Sequence, residues 1–265
     1  MFNPAPIDRI VRVASPRENR LKARLDRIRP LPPKLVENLR EVYDIRLTYN
    51  SNAIAKGRFS TNEGNTLTES ETQIVIEKGI TIDGKPLKDH LEAINHIEAI
   101  DFIRSLATTE QVIREWDIRQ LHGLVCKGDR GAGGYRNINV MAAGTGHRYP
   151  DAILVPEQMQ EFGAWLQSEQ SLHPVELAAE IHYRLVTIHP FQDGNGRTAR
   201  LLMNLYLLTT GYPIAVVKTQ DRALYIDNII AWRSGDPIPF KQMIAECVKS
   251  SLEEISSLAE PSISS

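Results

Sequence analysis

The sequence His-Pro-Phe-Gln-Asp-Gly-Asn-Gly-Arg-Thr-Ala-Arg occupies residues 189–200. Leucines follow it at positions 201, 202, 205 and 208, and this spacing of apolar residues is typical of a helix. The glycine-containing turn is therefore expected at a helix N-terminus, where the first N–H groups have no partners within the helix. These donors and the positive end of the helix dipole favour an anion.

The residue types in this turn indicate which kind of anion it binds. Gly194 and Gly196 have no Cβ, so the backbone can adopt left-handed conformations and a phosphate can approach closely. Arg197 and Arg200 are three residues apart and share one helix face. Their planar, permanently charged guanidinium groups match phosphate oxygens. The segment therefore predicts a polyphosphate site.

Two further residues of the segment predict chemistry at this site. His189 belongs to the residue type whose ordinary pKa, about 6.5, suits the removal of a proton from a hydroxyl at neutral pH. Asp193 can hold Mg²⁺, which binds one or two carboxylates together with phosphate oxygens. A lone Asp before Gly is usually a turn residue or a helix cap. The order of all these residues together favours a functional site.

In this order the residues resemble the motif of the Fic (Fido) family, His-Pro-Phe-x-(Asp/Glu)-Gly-Asn-Gly-Arg-x-x-Arg, at every specified position. The resemblance extends over most of residues 30–250. It implies an all-α, Fic-type helical bundle with one short β-hairpin flap. It also implies a protein adenylyltransferase, which transfers AMP from ATP, with Mg²⁺, to a Tyr, Thr or Ser hydroxyl of a target protein and of itself.

The resemblance assigns a role to each residue of the motif. His189 is the implied catalytic base, and Asp193 the implied Mg²⁺ ligand. Phe191 is expected to anchor the loop in the core. The implied phosphate-binding residues are Gly194, Asn195, Gly196, Arg197 and Arg200.

A second matching segment covers residues 134–150. Its sequence predicts a short β-hairpin, with a strand around Val140, a Gly-Thr-Gly turn and a second strand ended by Pro150. It resembles the family's flap, which pairs its main chain with the segment of the target that is modified. An ordinary surface hairpin is the alternative. The predicted docking residues are Val140, Met141, Ala142, Ala143 and Gly144.

A third segment, residues 221–228, matches the part of the family that lines the adenine pocket. The resemblance implies that Tyr225 and Asn228 bind the nucleotide, although Leu224 stands where a second tyrosine often occurs. A tyrosine in a helix is also often a partly buried core residue.

The chain resembles the class with an N-terminal inhibitory helix, (Ser/Thr)-x-x-x-Glu-(Gly/Asn), whose Glu pairs with the second motif arginine. Here the pattern is interrupted within residues 51–66, because eight residues separate Ile54 from Glu63-Gly64. In one interpretation the insertion loops out and Glu63 still reaches Arg200, since an insertion of this length costs little closure entropy. In the other, Glu63 is misplaced and inhibition is relaxed. The first is the prediction.

Other activities remain open at the same site. It could remove AMP, with Glu63 activating water, or transfer a different nucleotide or phosphate-containing group. A non-catalytic nucleotide-sensing module is a further alternative, but binding alone requires neither His189 nor Asp193.

Composition restricts the remaining possibilities. The 265 residues are 42% hydrophobic and carry a net charge of −2, which gives no argument for direct nucleic-acid binding. No apolar run approaches about 20 residues, so no membrane span is expected. With no visible signal peptide and only Cys126 and Cys247, a cytoplasmic location is predicted. The expected partner is a protein with an exposed hydroxyl-bearing loop, and a homodimer is possible.

Three regions are predicted along the chain. Residues 1–33 form a basic helical segment with a Pro-rich break, residues 34–110 an N-terminal helical region, and residues 111–259 the catalytic core. Apolar periodicity and capping residues predict further helices. These helices are 34–53, 69–78, 87–107, 109–127, 157–169, 174–188, 196–210, 220–233 and 238–258.

Overall fold

The computed structural model describes residues 16–55, 64–109, 112–142, 146–168 and 171–259. These residues form ten α-helices. In chain order they are α1 (Pro16–Ile28), α2 (Pro33–Ile54), α3 (Glu69–Lys78), α4 (Leu87–Ala107), α5 (Glu115–Val125), α6 (Val155–Gln167), α7 (Pro174–Ile188), α8 (Asn195–Thr209), α9 (Arg222–Arg233) and α10 (Ile238–Ala259). The predicted all-α fold is confirmed.

Helix α8 lies at the centre of the molecule. Its residues 197–205 are all buried, as expected for a helix that is surrounded by protein. It packs most extensively on α7 and also contacts α2, α4 and α5. Helix α10 covers the other side of α7 and packs against α1, whose Leu25 is fully buried. The turn between α7 and α8 is therefore supported from several directions.

Local sequence signals explain most helix ends. Thr68 and Glu71 form the expected capping box, with each side chain accepting a hydrogen bond from the other residue's backbone N–H. Gly79 ends α3 in the left-handed conformation at φ 62°. One predicted boundary was wrong, since α5 begins at Glu115 and not at residue 109. Asp117 accepts a hydrogen bond from the N–H of Arg114, whose backbone is extended, and so caps the helix there.

The predicted flap hairpin is reduced to one antiparallel bridge, Met141 to Arg148, in the part of this segment that the structure describes. Arg136 provides the physical reason. Its guanidinium donates to the carbonyl oxygens of Ile138 and Pro150, at 2.9 and 2.6 Å, so these groups do not pair across the hairpin. Pro150 also has no N–H to offer a ladder.

No helix within the described ranges is long and apolar enough to cross a membrane. Four histidines of the described residues are buried, namely His90, His96, His122 and His182. Burial lowers the pKa of His96 and of His182 to about 3, and that of His122 to about 4. These three are therefore neutral in the folded protein at pH 7.

These buried histidines predict acid lability. An unfolded histidine has a pKa near 6.5, so between pH 6.5 and about 4 the unfolded chain binds protons that the folded chain does not. The contribution of these histidines to the free energy of unfolding is therefore fully present above pH 6.5. Below that pH it falls by about 1.4 kcal/mol per pH unit for each histidine. We expect the melting temperature to fall steeply between pH 6.5 and pH 5. His182→Gln should make this slope shallower, whereas a flat profile in the unmodified protein would contradict the assignment.

Candidate active site

A cavity of about 410 Å³ lies where the end of α2, the flap, the turn before α8 and α9 meet. Polar residues of the turn and α8 line one side of the cavity. Mostly apolar residues of α7, the flap and α9 line the other side, where Arg222 and Arg233 of α9 are charged exceptions. The polar side is lined by Asp193, Gly194, Asn195, Gly196, Arg197 and Arg200. The apolar side is lined by Val186, Ile226, Ile229 and Ile230, with Met141, Ala142 and Tyr149 from the flap. A cavity with these two sides suits a ligand that has a charged end and a flat apolar end.

The turn before α8 is the predicted anion site, and it presents main chain to the cavity. Gly194 precedes the helix at φ 73°, and the first helical hydrogen bond runs from the N–H of Thr198 to the Gly194 carbonyl oxygen. The side chain of Asn195 both donates to and accepts from the main chain of Phe191. The side chain of Asn195 therefore holds the loop closed, and its backbone N–H belongs to the open first turn.

His189 ends α7 in the left-handed conformation, with φ 51° and ψ 57°. A residue with a Cβ rarely adopts this conformation, and here packing stabilises it. The carbonyl oxygen of His189 accepts a hydrogen bond from Arg136 Nε at 2.8 Å. Its Nδ1 lies 3.4 Å from the Val186 carbonyl oxygen, a weak contact that favours a proton on Nδ1 and a lone pair on Nε2.

The imidazole of His189 is neutral at pH 7. Burial lowers its pKa to about 4, against a smaller opposing effect of the hydrogen bond to Val186. Tyr149 of the flap contributes to this burial, because its ring stacks on the imidazole with the centroids 3.8 Å apart. The guanidinium of Arg233 lies over the Tyr149 ring, 5.3 Å from its centroid. The stack joins the flap to the histidine.

Arg197 is buried between two carboxylates. Its side chain is 5% exposed and lies 3.3 Å from Glu92 of α4 and 3.6 Å from Asp193. Its Nε has no hydrogen-bond partner among the described residues. Glu92 also accepts a hydrogen bond from the side chain of Asn65, at 3.3 Å. Helix α4 and the segment before α3 therefore share this ion pair with the anion site.

Arg200 is held by the end of α2. It donates from Nε to Ser51 Oγ at 3.1 Å and from Nη2 to the Ser51 carbonyl oxygen at 2.7 Å. Its Nη1 donates to the hydroxyl of Tyr225 at 3.2 Å. A cation is favourable at a helix C-terminus, where carbonyl groups lack partners within the helix. The second motif arginine is thus fixed by helix α2 and not by a carboxylate among the described residues.

The inhibitory segment is only partly visible in this geometry. Ser51, near the end of α2, contacts Arg200, the second arginine of the motif. Ala55, four residues after Ser51, lines the cavity. The cavity-lining residue at this spacing is therefore an alanine. Glu63 lies outside the described residues, as do Ala143 and Gly144 of the predicted flap.

The structure places the two predicted adenine-pocket residues differently. Tyr225 lines the cavity, but its hydroxyl contacts His182 Nε2 at 2.8 Å in addition to Arg200. Asn228 is absent from the residues that line this cavity, and its amide donates toward the Pro239 carbonyl and Met243. A role of Asn228 in nucleotide binding stays a prediction, and it would require the side chain to leave these partners.

Several residues of this site were not predicted from the sequence. Arg136, His122, Glu92 and Tyr149 all contact the motif or its immediate neighbours. Arg136 and Tyr149 lie within the flap segment, residues 134–150, but neither their spacing nor their residue types distinguished them from its other residues. Glu92 is one of several acidic residues of α4, and nothing in the local sequence indicates that its side chain faces a buried arginine.

Comparison with known proteins gives a consistent assignment. Residues 112–207 match the model of the Fic/DOC family. The chain is 40% identical over 194 residues to "Protein adenylyltransferase Fic" of Drosophila mojavensis and 37% identical over 210 residues to the protein of the same name in Nematostella vectensis. These matches cover 72% and 77% of this chain but only 38% and 47% of the relatives, so the chain spans less than half of their length.

Solved structures show the same relationship. A Fic-domain-containing signalling protein from Bacteroides thetaiotaomicron superposes with a TM-score of 0.83 at 29% identity, over 92% of this chain and 97% of that one. A fragment of Fic-1 from C. elegans superposes with a TM-score of 0.80 at 30% identity, over 93% of this chain and 72% of that one. The described fold, the motif and these matches together show that the chain belongs to the Fic/DOC family.

Proposed function

We propose that this protein transfers AMP from ATP to a hydroxyl group of a target protein and of itself. The observation that carries the proposal is one cavity that combines a neutral histidine, a glycine-containing turn at a helix N-terminus and two buried arginines. The names of the curated relatives support it. In the predicted division of the chain, residues 111–259 perform the catalysis and residues 34–110 regulate it.

The polar side of the cavity suits the triphosphate. The backbone N–H groups of Gly194, Asn195 and Gly196 offer donors to phosphate oxygens, and Arg197 and Arg200 offer charge. Glu92 and Ser51 hold these arginines in place before the nucleotide arrives. The apolar side, with Ile226, Ile229 and Ile230, then receives the base.

His189 acts as the general base. In the proposed step the target's hydroxyl gives its proton to Nε2, and its oxygen forms a bond to the α-phosphorus. The bond from the α-phosphorus to the bridging oxygen breaks, and pyrophosphate leaves. The residues that fix the donors and the base supply most of the catalysis, because they need no reorganisation during the reaction.

Asp193 fits a magnesium ligand. Its side chain is 68% exposed at the cavity, next to the anion site, and Mg²⁺ is commonly held by one carboxylate with phosphate oxygens. When bound, Mg²⁺ would offset the charge of the polyphosphate. Asp193 also lies near Arg197, so the carboxylate is oriented in advance.

The flap is the proposed docking surface for the target. Met141 is 64% exposed, and Ala142 lies at the cavity, so an extended segment that pairs with this main chain would pass close to His189. Backbone pairing selects an extended conformation more than a sequence. The cytoplasmic location predicted from the sequence is consistent with such a target but stays a prediction.

The first prediction concerns the base. His189→Ala should reduce AMP incorporation from α-labelled ATP by about 10²–10⁴-fold, because no group remains to accept the hydroxyl proton. Its affinity for ATP, measured by calorimetry, should stay within a few fold, because the phosphate donors are unaltered. Transfer at the unmodified rate would overturn the base assignment.

The second prediction concerns inhibition. We propose that Glu63 restrains transfer despite the insertion, so Glu63→Gly should gain one adenylyl group, measured by mass spectrometry, where the unmodified protein gains little. Equal gain in both forms would mean that the insertion has abolished inhibition, as Ala55 at the cavity would allow. If neither form gains mass although both bind ATP, removal of AMP or another donor group replaces the proposed reaction.

The third prediction concerns the ring that covers the base. Tyr149→Ala should raise the pKa of His189 from about 4 toward 6.5, because the imidazole loses the ring that helps to shield it from water. The acid limb of the profile of kcat/KM against pH should move to higher pH by the same amount, since the base must be unprotonated. Tyr149→Phe keeps the ring and is the matched control. An unaltered pKa in Tyr149→Ala, measured by NMR titration, would show that the stack does not control it.

A further inference from the structure

His122 of α5 lies directly behind the anion-binding turn. Its Nε2 is 3.0 Å from the Asp193 carbonyl oxygen, and its Nδ1 is 2.9 Å from the N–H of Gly133. Its ring lies parallel to that of Phe191, with an interplanar angle of 1° and centroids 3.7 Å apart. This histidine therefore contacts the motif loop both through its ring and through its nitrogens.

The partners of His122 determine its tautomer. A backbone N–H only donates, so the Gly133 contact requires a lone pair on Nδ1. A neutral imidazole then carries its proton on Nε2, which is the atom that faces a carbonyl oxygen. Both nitrogens are thus used in one arrangement.

We propose that His122 is a positioning residue that locks the Asp193–Gly194 peptide group, so that its N–H faces the cavity in the orientation that a polyphosphate needs. In a trans peptide the C=O and N–H point in opposite directions. Because the Asp193 carbonyl is directed at α5, the N–H of Gly194 is directed to the cavity side. In this structure the Gly194 N–H donates to Asp193 Oδ1 at 2.7 Å, so it already faces a negatively charged oxygen of the kind that a phosphate would bring. The proposal rests on the proposed function, in which that cavity holds ATP.

The lock opposes a rotation that the turn would otherwise permit. Gly194 has positive φ and no Cβ, so the peptide before it has a low intrinsic barrier to flipping. A flipped peptide would place a carbonyl oxygen in the anion site, where it would repel phosphate. A flip would also leave His122 Nε2–H unpaired in a packed region, which is unfavourable.

Close packing reinforces the hydrogen bond. A Cβ added to Gly194 would lie 2.6 Å from Cys126 Sγ and 3.3 Å from the His122 ring. Helix α5 therefore forms a wall against the turn and leaves no space for the loop to move back. Since the other nitrogen of His122 holds Gly133, which precedes Arg136, the same side chain links the anion site to the base of the flap.

Two variants separate the hydrogen bond from the rest of the side chain. The amide of His122→Gln can reach the position of Nε2 and donate to the Asp193 carbonyl. The amide of His122→Asn reaches only the position of Nδ1 and can accept from Gly133. Both lose the stack on Phe191, and each keeps one of the two hydrogen bonds, so the sign of the difference in ATP affinity shows whether the Asp193 contact or the Gly133 contact matters for the anion site.

The experiment measures the Kd of ATP for the full chain and both variants by calorimetry, at a temperature well below each variant's melting point. We expect His122→Gln to bind ATP roughly tenfold more tightly than His122→Asn, in line with one hydrogen bond. Equal affinities of the two variants would overturn the lock. A protein that shows this difference but transfers no AMP would refute the proposed function and leave the lock standing.

A measurement on the unmodified protein tests the proposal without any substitution. Long-range ¹H–¹⁵N correlation spectra should show His122 as the Nε2–H tautomer with a slowly exchanging proton. The Nδ1–H tautomer would overturn the lock, because Nε2 would then be an acceptor that faces another acceptor.

Discussion

The burial of two guanidinium groups beside the first turn of α8 is the constraint on which this structure depends. Arg197 and Arg200 are 4% and 3% exposed, and a buried cation is tolerated only with partners. Glu92 of α4 serves Arg197, while the end of α2 and Tyr225 of α9 serve Arg200. The positions of the helices around α8 therefore depend on the pairing of these two arginines as well as on apolar packing.

These partners also mean that the two arginines are ordered before any ligand binds. An arginine loses rotamer freedom when it grips a phosphate, and here the surrounding protein has already restricted that freedom. The two partners differ in kind. Glu92 is a carboxylate that competes with an anion for Arg197, whereas Ser51 offers a hydroxyl and a carbonyl that leave the charge of Arg200 uncancelled.

Unusual backbone conformations form the second layer of this preorganisation. His189 and Gly194 both have positive φ, and they lie on either side of Phe191, which is fully buried. Asn195 fastens the main chain of Phe191, and the His122 ring stacks on its side chain. The loop is therefore built around an apolar anchor, and its two left-handed residues are held by contacts from α5 and from Arg136.

Sequence patterns predicted the helices well where periodicity and caps agree, as at Thr68 and Glu71, and less well where a side chain acts as an unexpected cap, as Asp117 does at the start of α5. The hairpin was overpredicted because alternation and turn residues cannot show that Arg136 occupies the carbonyl groups of both arms. The direction of the Asn228 side chain likewise depends on tertiary packing. The position of Asn228 along the chain matches the family segment that lines the adenine pocket. The direction of its side chain depends on its contact with α10.

The sequence by itself determined the family and the general character of the candidate site, because the predicted anion-binding turn, the proposed base and both arginines lie within twelve consecutive residues. Their mutual geometry follows largely from one turn and one helix. Only the tertiary structure decided what holds them, since Ser51 is 149 residues from Arg200 and His122 is 71 residues from Asp193. Such pairings arise when separate helices pack, and no local spacing of residues encodes which buried donor will meet which acceptor.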